Sequence, residues 1–297
     1  MKKSKVFLLA AGIPLLYMAV QFAVMTAFTA YYYIRALAGN RFILSSGDSD
    51  EIMSFSMRVA DEMLDNIIGV TIPVSIIACA VFMIILVAAY HKKPYRVWDA
   101  VGLTARSPVN TLGAAVSAGF FFNMMFTGLI SLMPVPESWN SAHNATTEAL
   151  FGGPILLSIL FTALLAPLVE EIVFRGFTHR YLGKIYPPWV AALLSGAIFG
   201  IIHFNWLQTV YAFALGVILG FVCSWTKSLR PCVAFHMMFN AANFVISPVL
   251  ILIFGENIEV VPAPAAGIMF IAGGVAAIYC MAFIYRNRQT SADSVFG

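Results

Sequence analysis

Long apolar runs alternate with short polar connections along this chain. About eight of the runs are long enough to cross a bilayer: 6–34, 67–90, 109–133, 154–174, 187–204, 207–225, 231–254 and 262–285, the fifth and sixth being the shortest. A segment in lipid must satisfy its own backbone hydrogen bonds, so runs of this length predict helices. The expected fold is all-α: a polytopic membrane protein with about eight transmembrane helices, forming a single integral membrane domain over 1–297. The polar stretch 35–66 is the longest connection, and part of it reads as a short amphipathic helix.

Composition strengthens this reading. Of the 297 residues, 61% are hydrophobic and 10% charged, whereas soluble domains carry about 25% charged residues. No stretch has the make-up of a separate soluble domain. A net charge of +3 is too small to point to nucleic acid, and none is expected as a partner. Cys79, Cys223, Cys232 and Cys280 lie in or beside apolar runs without CxxC spacing. They read as small core residues, with neither a disulfide nor a zinc framework.

The placement of charge says more than its sum. Lys2, Lys3 and Lys5 precede the first run, and Lys92, Lys93, Arg96 and Arg106 lie between the second and third. Arg175, Arg180 and Lys184 follow the fourth, Lys227 and Arg230 the sixth, and Arg286 and Arg288 the last. The alternate connections are acidic on balance or, as around Glu137, Glu148, Glu256 and Glu259, lack Lys and Arg. The positive-inside rule then sets a multi-pass protein of the cell membrane with both termini cytoplasmic. The first run is about twice the length of a signal-peptide core and reads as an uncleaved anchor.

Ionisable residues within such runs are expensive and point to function. The fourth run leads into APLVEEIVFRGF, Ala166 to Phe177. If the helix continues, Glu171 and Arg175 stack at i,i+4 with the acid on the N-terminal side, the favourable order. Glu170 is turned about 100° away. It lies about 7 Å deeper than Arg175, just inside the hydrocarbon boundary. The pair divides into a structural acid and a carboxylate free to act on water. Phe199 and His203 are four apart, as are His236 and Asn240, and Asn243 continues the latter stripe. A carboxylate, two imidazoles and an amide on three helices are parts suited to amide hydrolysis. Asn243 reads as a helix-packing residue. His91, His143 and His179 fall in connections and read as solvated.

EEIVFR, FGIIH and HMMFN match the EExxxR, FxxxH and HxxxN signatures, in order, of the CAAX prenyl protease and bacteriocin-processing family (CPBP, or Abi). The region Pro154 to Phe254, helices four to seven, resembles its catalytic core, and the helix count resembles type II CAAX endopeptidases. The resemblance implies an intramembrane glutamate-type endopeptidase cutting a peptide bond near the membrane surface without a metal or other cofactor. It implies that Glu170, assisted by His203, activates water, that Glu171 pairs with Arg175, that His236 and Asn240 hold the oxyanion, and that Phe199 packs beside them. Implied partners are a peptide or protein substrate, its lipidation left open, and membrane lipid.

Other chemistries fit less well. HExxH and GxGD are absent. Ser195 faintly resembles a rhomboid serine, but Leu193 stands where the first glycine of GxSG belongs. A zinc-dependent variant using Glu170, His203 and His236 is chemically sensible, although Asn240 suits an oxyanion better. A role from a different class, bacteriocin self-immunity or another binding function without turnover, would not need a base beside an oxyanion site.

Overall fold

The computed structural model describes residues 3–39, 48–93, 95–151, 153–255 and 261–288. Lys2, Glu256 and Glu259, used above for topology, lie outside them. Among the described residues every regular element is helical. The helices are α1 (Lys3–Gly39), α2 (Ser49–Tyr90), α3 (Val109–Leu132), α4 (Glu137–Phe151), α5 (Ile155–Leu182), α6 (Pro188–Ile201), α7 (Trp206–Thr226), α8 (Arg230–Ala241), α9 (Asn243–Phe254) and α10 (Ala263–Arg286), with one further turn at Val97–Ala100.

Among the described residues seven stretches are long and apolar enough to cross a membrane, α8 and α9 counting as one, and the protein is a multi-pass membrane protein. The expected fifth span is the exception: α6 has 14 residues. At about 1.5 Å per residue it reaches about 21 Å. It then turns back through residues 202–205, where Phe204 takes φ +52°. Phe204 meets Phe22, midway along α1, edge to face with centroids 6.4 Å apart.

The expected seventh span also differs, since it is interrupted at Ala242, between α8 and α9. In place of a coil with a short helix, residues 49–66 belong to the 42-residue α2, capped by Asp48, whose carboxylate accepts from the amides of Asp50 and Glu51.

Small residues let the helices close in. A side chain on Gly119 of α3 would overlap the Phe235 carbonyl of α8, and one on Gly128 would lie 2.5 Å from the Ala266 carbonyl of α10. Between α6 and α7, Gly196 and Gly216 face each other. A Cβ on Gly216 would also sit 3.2 Å from both Arg175 Nη2 and Phe199 Cδ1. The missing side chain is the space into which the buried arginine fits.

The basic connections share one end of the bundle. Phe7 meets Tyr186 at 5.9 Å, Arg180 donates to the Ala100 carbonyl at 3.2 Å, and Arg230 Nε donates to the Leu103 carbonyl at 2.8 Å. From there α1 and α5 run antiparallel in a register marked by Thr178, whose hydroxyl donates to the Ala10 carbonyl at 2.9 Å. That carbonyl would bond to residue 14 in an unbroken helix, but residue 14 is Pro. A neighbouring helix thus supplies the donor that proline removes, as lipid-embedded backbone demands.

Candidate active site

Helix α5 is not uniformly α-helical. The α-helical turns Ala166–Glu171 are flanked by π-helical stretches, Ile159–Leu165 and Ile172–His179. Such insertions are uncommon and gather at functional sites. The two glutamates end the α-helical piece, and Arg175 lies in the second wide stretch.

Glu171 and Arg175 are both fully buried and meet through Oε1 and Nη1 at 2.7 Å. The guanidinium also stacks over the Phe199 ring, its carbon 4.6 Å from the centroid, an arrangement that favours a desolvated cation. The same Glu171 oxygen accepts from His236 Nδ1 at 2.8 Å. A carboxylate oxygen in this position accepts, so the proton lies on Nδ1 and the other ring nitrogen is directed elsewhere. It is directed at Glu170: His236 Nε2 stands 3.7 Å from Glu170 Oε2. Glu171 is wholly enclosed whereas the Glu170 side chain keeps 16% of its surface exposed. Of the two acids, only Glu170 can be reached from outside.

Phe199 stands between the two histidines. Its centroid lies 4.9 Å from that of His203 and 5.7 Å from that of His236, both nearly perpendicular. His203 Nδ1 donates to the Phe199 carbonyl at 2.7 Å. That acceptor fixes the tautomer, leaving Nε2 as a lone pair in the neutral ring.

Asn240 Nδ2 donates to the Thr162 carbonyl at 2.8 Å. In the π-helical stretch a carbonyl pairs with the amide five residues on, and Ala166 indeed bonds to Phe161. The corresponding partner of Thr162 is Pro167, which has no N–H. One amide hydrogen of Asn240 therefore repairs α5, and its second remains to be donated. Sequence reading missed this use of Asn240, although Pro167 at the right distance from Thr162 was visible.

Depth also differs from the expectation. Because α5 runs on to Leu182, Glu170 lies about 18 Å from its basic end at α-helical rise, well inside the bundle. Counting along α1 from the Ala10–Thr178 contact puts Glu170 opposite residue 18 or so, and Phe204 touches Phe22. The turn holding His203 and the glutamate are thus within about 6 Å in depth. A crossing α6 would have separated them further.

Two histidines read as solvated are not. His179 is buried within α5 with Nε2 3.0 Å from Ser224 Oγ. His143 belongs to α4, meets Tyr211 edge to face at 6.1 Å, and is pushed below the usual histidine range by burial. His91 is exposed. Asn243 accepts from Asn123 Nδ2 at 3.0 Å, an interhelical bond as expected, while Asn123, which also donates to the Phe239 carbonyl at 2.8 Å, was not singled out. Among the described residues, no three His, Cys, Asp or Glu side chains converge as a metal site.

Comparison with known proteins agrees with the three signatures. The family model "Type II CAAX prenyl endopeptidase Rce1-like" matches residues 152–242. The chain is 24% identical over 184 residues to YdiL of Bacillus subtilis (strain 168), named as a candidate membrane peptidase, covering 61% of this chain and 72% of YdiL. It is 26% identical over 165 residues to the membrane-embedded CAAX protease MroQ of Staphylococcus aureus (strain USA300), covering 53% and 65%. The uncharacterized B. subtilis protein YpbD is 31% identical over 111 residues, 35% of this chain and 54% of YpbD. No solved structure matches significantly.

Proposed function

We propose, on the premise that this chain is a membrane-embedded peptidase with an Rce1-like region at 152–242, that it cuts peptide bonds by a glutamate mechanism without a metal. The observation that carries the proposal is the unequal treatment of the two acids. Glu171 is enclosed and bound to Arg175 and His236, and Glu170 is accessible beside His236 Nε2.

Glu170 takes a proton from water as the water oxygen attacks the scissile carbonyl. The His203 Nε2 lone pair accepts the other water hydrogen and orients it, its own N–H being tied to Phe199. Negative charge then develops on the carbonyl oxygen. His236 in its imidazolium form, with Nδ1 held by Glu171, donates from Nε2 to that oxyanion, and Asn240 donates its second amide hydrogen. Arg175 offsets the charge of Glu171, so that Glu171 holds His236 without an uncompensated anion. Glu170 finally returns its proton to the leaving nitrogen as the carbon–nitrogen bond breaks.

The substrate is a peptide or protein segment that enters the bilayer-embedded part of the bundle. The name of MroQ and the family description favour cleavage of a protein C-terminus, with a lipid anchor as the device that brings it in. The positive-inside pattern sets both termini in the cytoplasm of a cell-membrane protein. Nucleic acid has no part in this reading.

The test is Glu170→Gln in whole membranes. The variant should melt close to wild type, lose cleavage of membrane peptides as followed by mass spectrometry, and co-purify with an uncut polypeptide that wild type releases. Cleavage at the wild-type rate by Glu170→Gln would end the proposal.

A further inference from the structure

A second concavity, of about 370 Å³, opens at the basic end of the bundle where α2 and α5 finish, apart from the two glutamates and both site histidines. Tyr90, the last residue of α2, forms its wall with Tyr95 and Tyr181, and Phe177 packs against both Tyr90 and Tyr181, at 5.9 and 6.3 Å. Two cations, Arg180 and Lys184, and one anion, Asp99, complete it.

The charges are not equivalent. Asp99 is already engaged: it accepts from the Thr104 hydroxyl at 2.7 Å and from the Arg96 amide at 3.3 Å. Arg180 is seated by the backbone. It donates to the Ala100 carbonyl, and Gly102, with φ +77°, leaves a space that any side chain would fill by overlapping the guanidinium. Only glycine combines that φ with that clearance. The turn is shaped around a fixed guanidinium, five donors in a planar fork. Lys184 is exposed and lies over the Tyr181 ring, its Nζ 5.0 Å from the centroid, on a side chain long enough to swing onto an anion.

We propose that this concavity binds the phosphate of an anionic membrane lipid. The ends of two spans define headgroup depth, tyrosines favour that layer, and basic pockets between transmembrane helices take lipid headgroups. The phosphate pairs with Arg180 and Lys184, the tyrosine hydroxyls donate to the headgroup, and the aromatic faces receive the first carbons of the chains. The site is linked to the reaction centre by position: Phe177 and Arg180 continue the helix that carries Arg175, and Gly176 packs on Val101 of the same loop.

The full-length protein in detergent is titrated with dioctanoyl phosphatidylglycerol, with dioctanoylglycerol lacking phosphate, and with glycerol 3-phosphate lacking chains, and bound species are counted by native mass spectrometry. One molecule of the phospholipid should bind more tightly than either control. Lys184→Gln should weaken it about fivefold, the equivalent of about 1 kcal/mol per interfacial cation. Arg180→Gln should weaken it at least as much, and if that variant does not fold, the exposed Lys184 carries the test. Equal binding of dioctanoylglycerol would reduce the site to an apolar groove, and equal binding of glycerol 3-phosphate would make its ligand a soluble phosphate. Either result overturns the proposal, as does phospholipid binding unchanged in Lys184→Gln.

Discussion

Glu171→Gln separates a charge from a shape. The amide oxygen of glutamine can still accept from Arg175 and His236 at the positions of the present 2.7 and 2.8 Å bonds, so packing is nearly kept. What disappears is the anion facing a guanidinium with no solvent exposure. Breaking a buried pair from one side costs about 3–5 kcal/mol, because the remaining charge stays desolvated. The Phe199 ring beneath Arg175 is present in both proteins and cancels from the difference. For a large chain each kcal/mol moves the midpoint by about 2–4 °C, so melting in detergent should fall by about 6–20 °C. Replacing the arginine as well, in Glu171→Gln/Arg175→Met, removes the stranded charge and should recover more than half of the loss. Melting of Glu171→Gln within about 2 °C of wild type, or a double variant less stable than the single, would refute the account of Arg175 as a buried cation held by Glu171.

Three further outcomes are expected. Asn240→Ala should lower turnover by about 10² to 10³ with little change in KM, and also melt earlier, because the Thr162 carbonyl loses its donor at a cost of about 1–3 kcal/mol; a rise in KM with turnover intact would assign Asn240 to ground-state substrate binding. Purified protein should contain less than stoichiometric zinc by elemental analysis and keep its cleavage rate after chelation and removal of the chelator, whereas activity lost with the metal and restored by zinc alone would make His203 and His236 ligands. His143, favoured neutral by burial, should stabilise the attachment of α4 fully above the unfolded value of about 6.5 and progressively less as pH falls below it; the protection of amides over 137–151, after correction for the intrinsic pH dependence of exchange, should therefore fall between pH 7.5 and 5 in wild type but not in His143→Phe.

Much of the bundle could be read from apolar run length alone, because a lipid-facing helix has no other way to satisfy its backbone. The same rule failed for α6. Its residues are as apolar as those of a span, yet the helix ends after 14 residues and turns back at 202–205 with Phe204 exposed, and an apolar run does not show where its helix ends when the turn residues are themselves apolar. The Glu171–Arg175 contact was legible because i,i+4 neighbours meet whatever surrounds them. The His236–Glu171 bond joins residues 65 apart and needed the tertiary fold. His143 and His179 were misplaced for one reason: polar or charged neighbours made α4 and the end of α5 resemble connections, though both are helical and packed. The π-helical stretches leave no mark in hydropathy, since they change the turn and not the composition.

The two carbonyls opened by Pro14 and Pro167 bear on how the protein is made. Ala10 waits for Thr178, 168 residues later, and Thr162 waits for Asn240, 78 residues later. During synthesis, therefore, α1 and α5 each enter the bilayer with an acceptor that has no helical donor, at a cost of several kcal/mol if left in hydrocarbon. Each is held open to one later helix in one register. The nascent protein thus carries its own assembly instructions in its defects: α1 is a half-finished surface until the end of α5 arrives, and the candidate site, to which α8 brings His236 and Asn240, cannot be completed before α8 has been inserted beside it. On the proposed mechanism, that order keeps the chain inactive until α8 is in place.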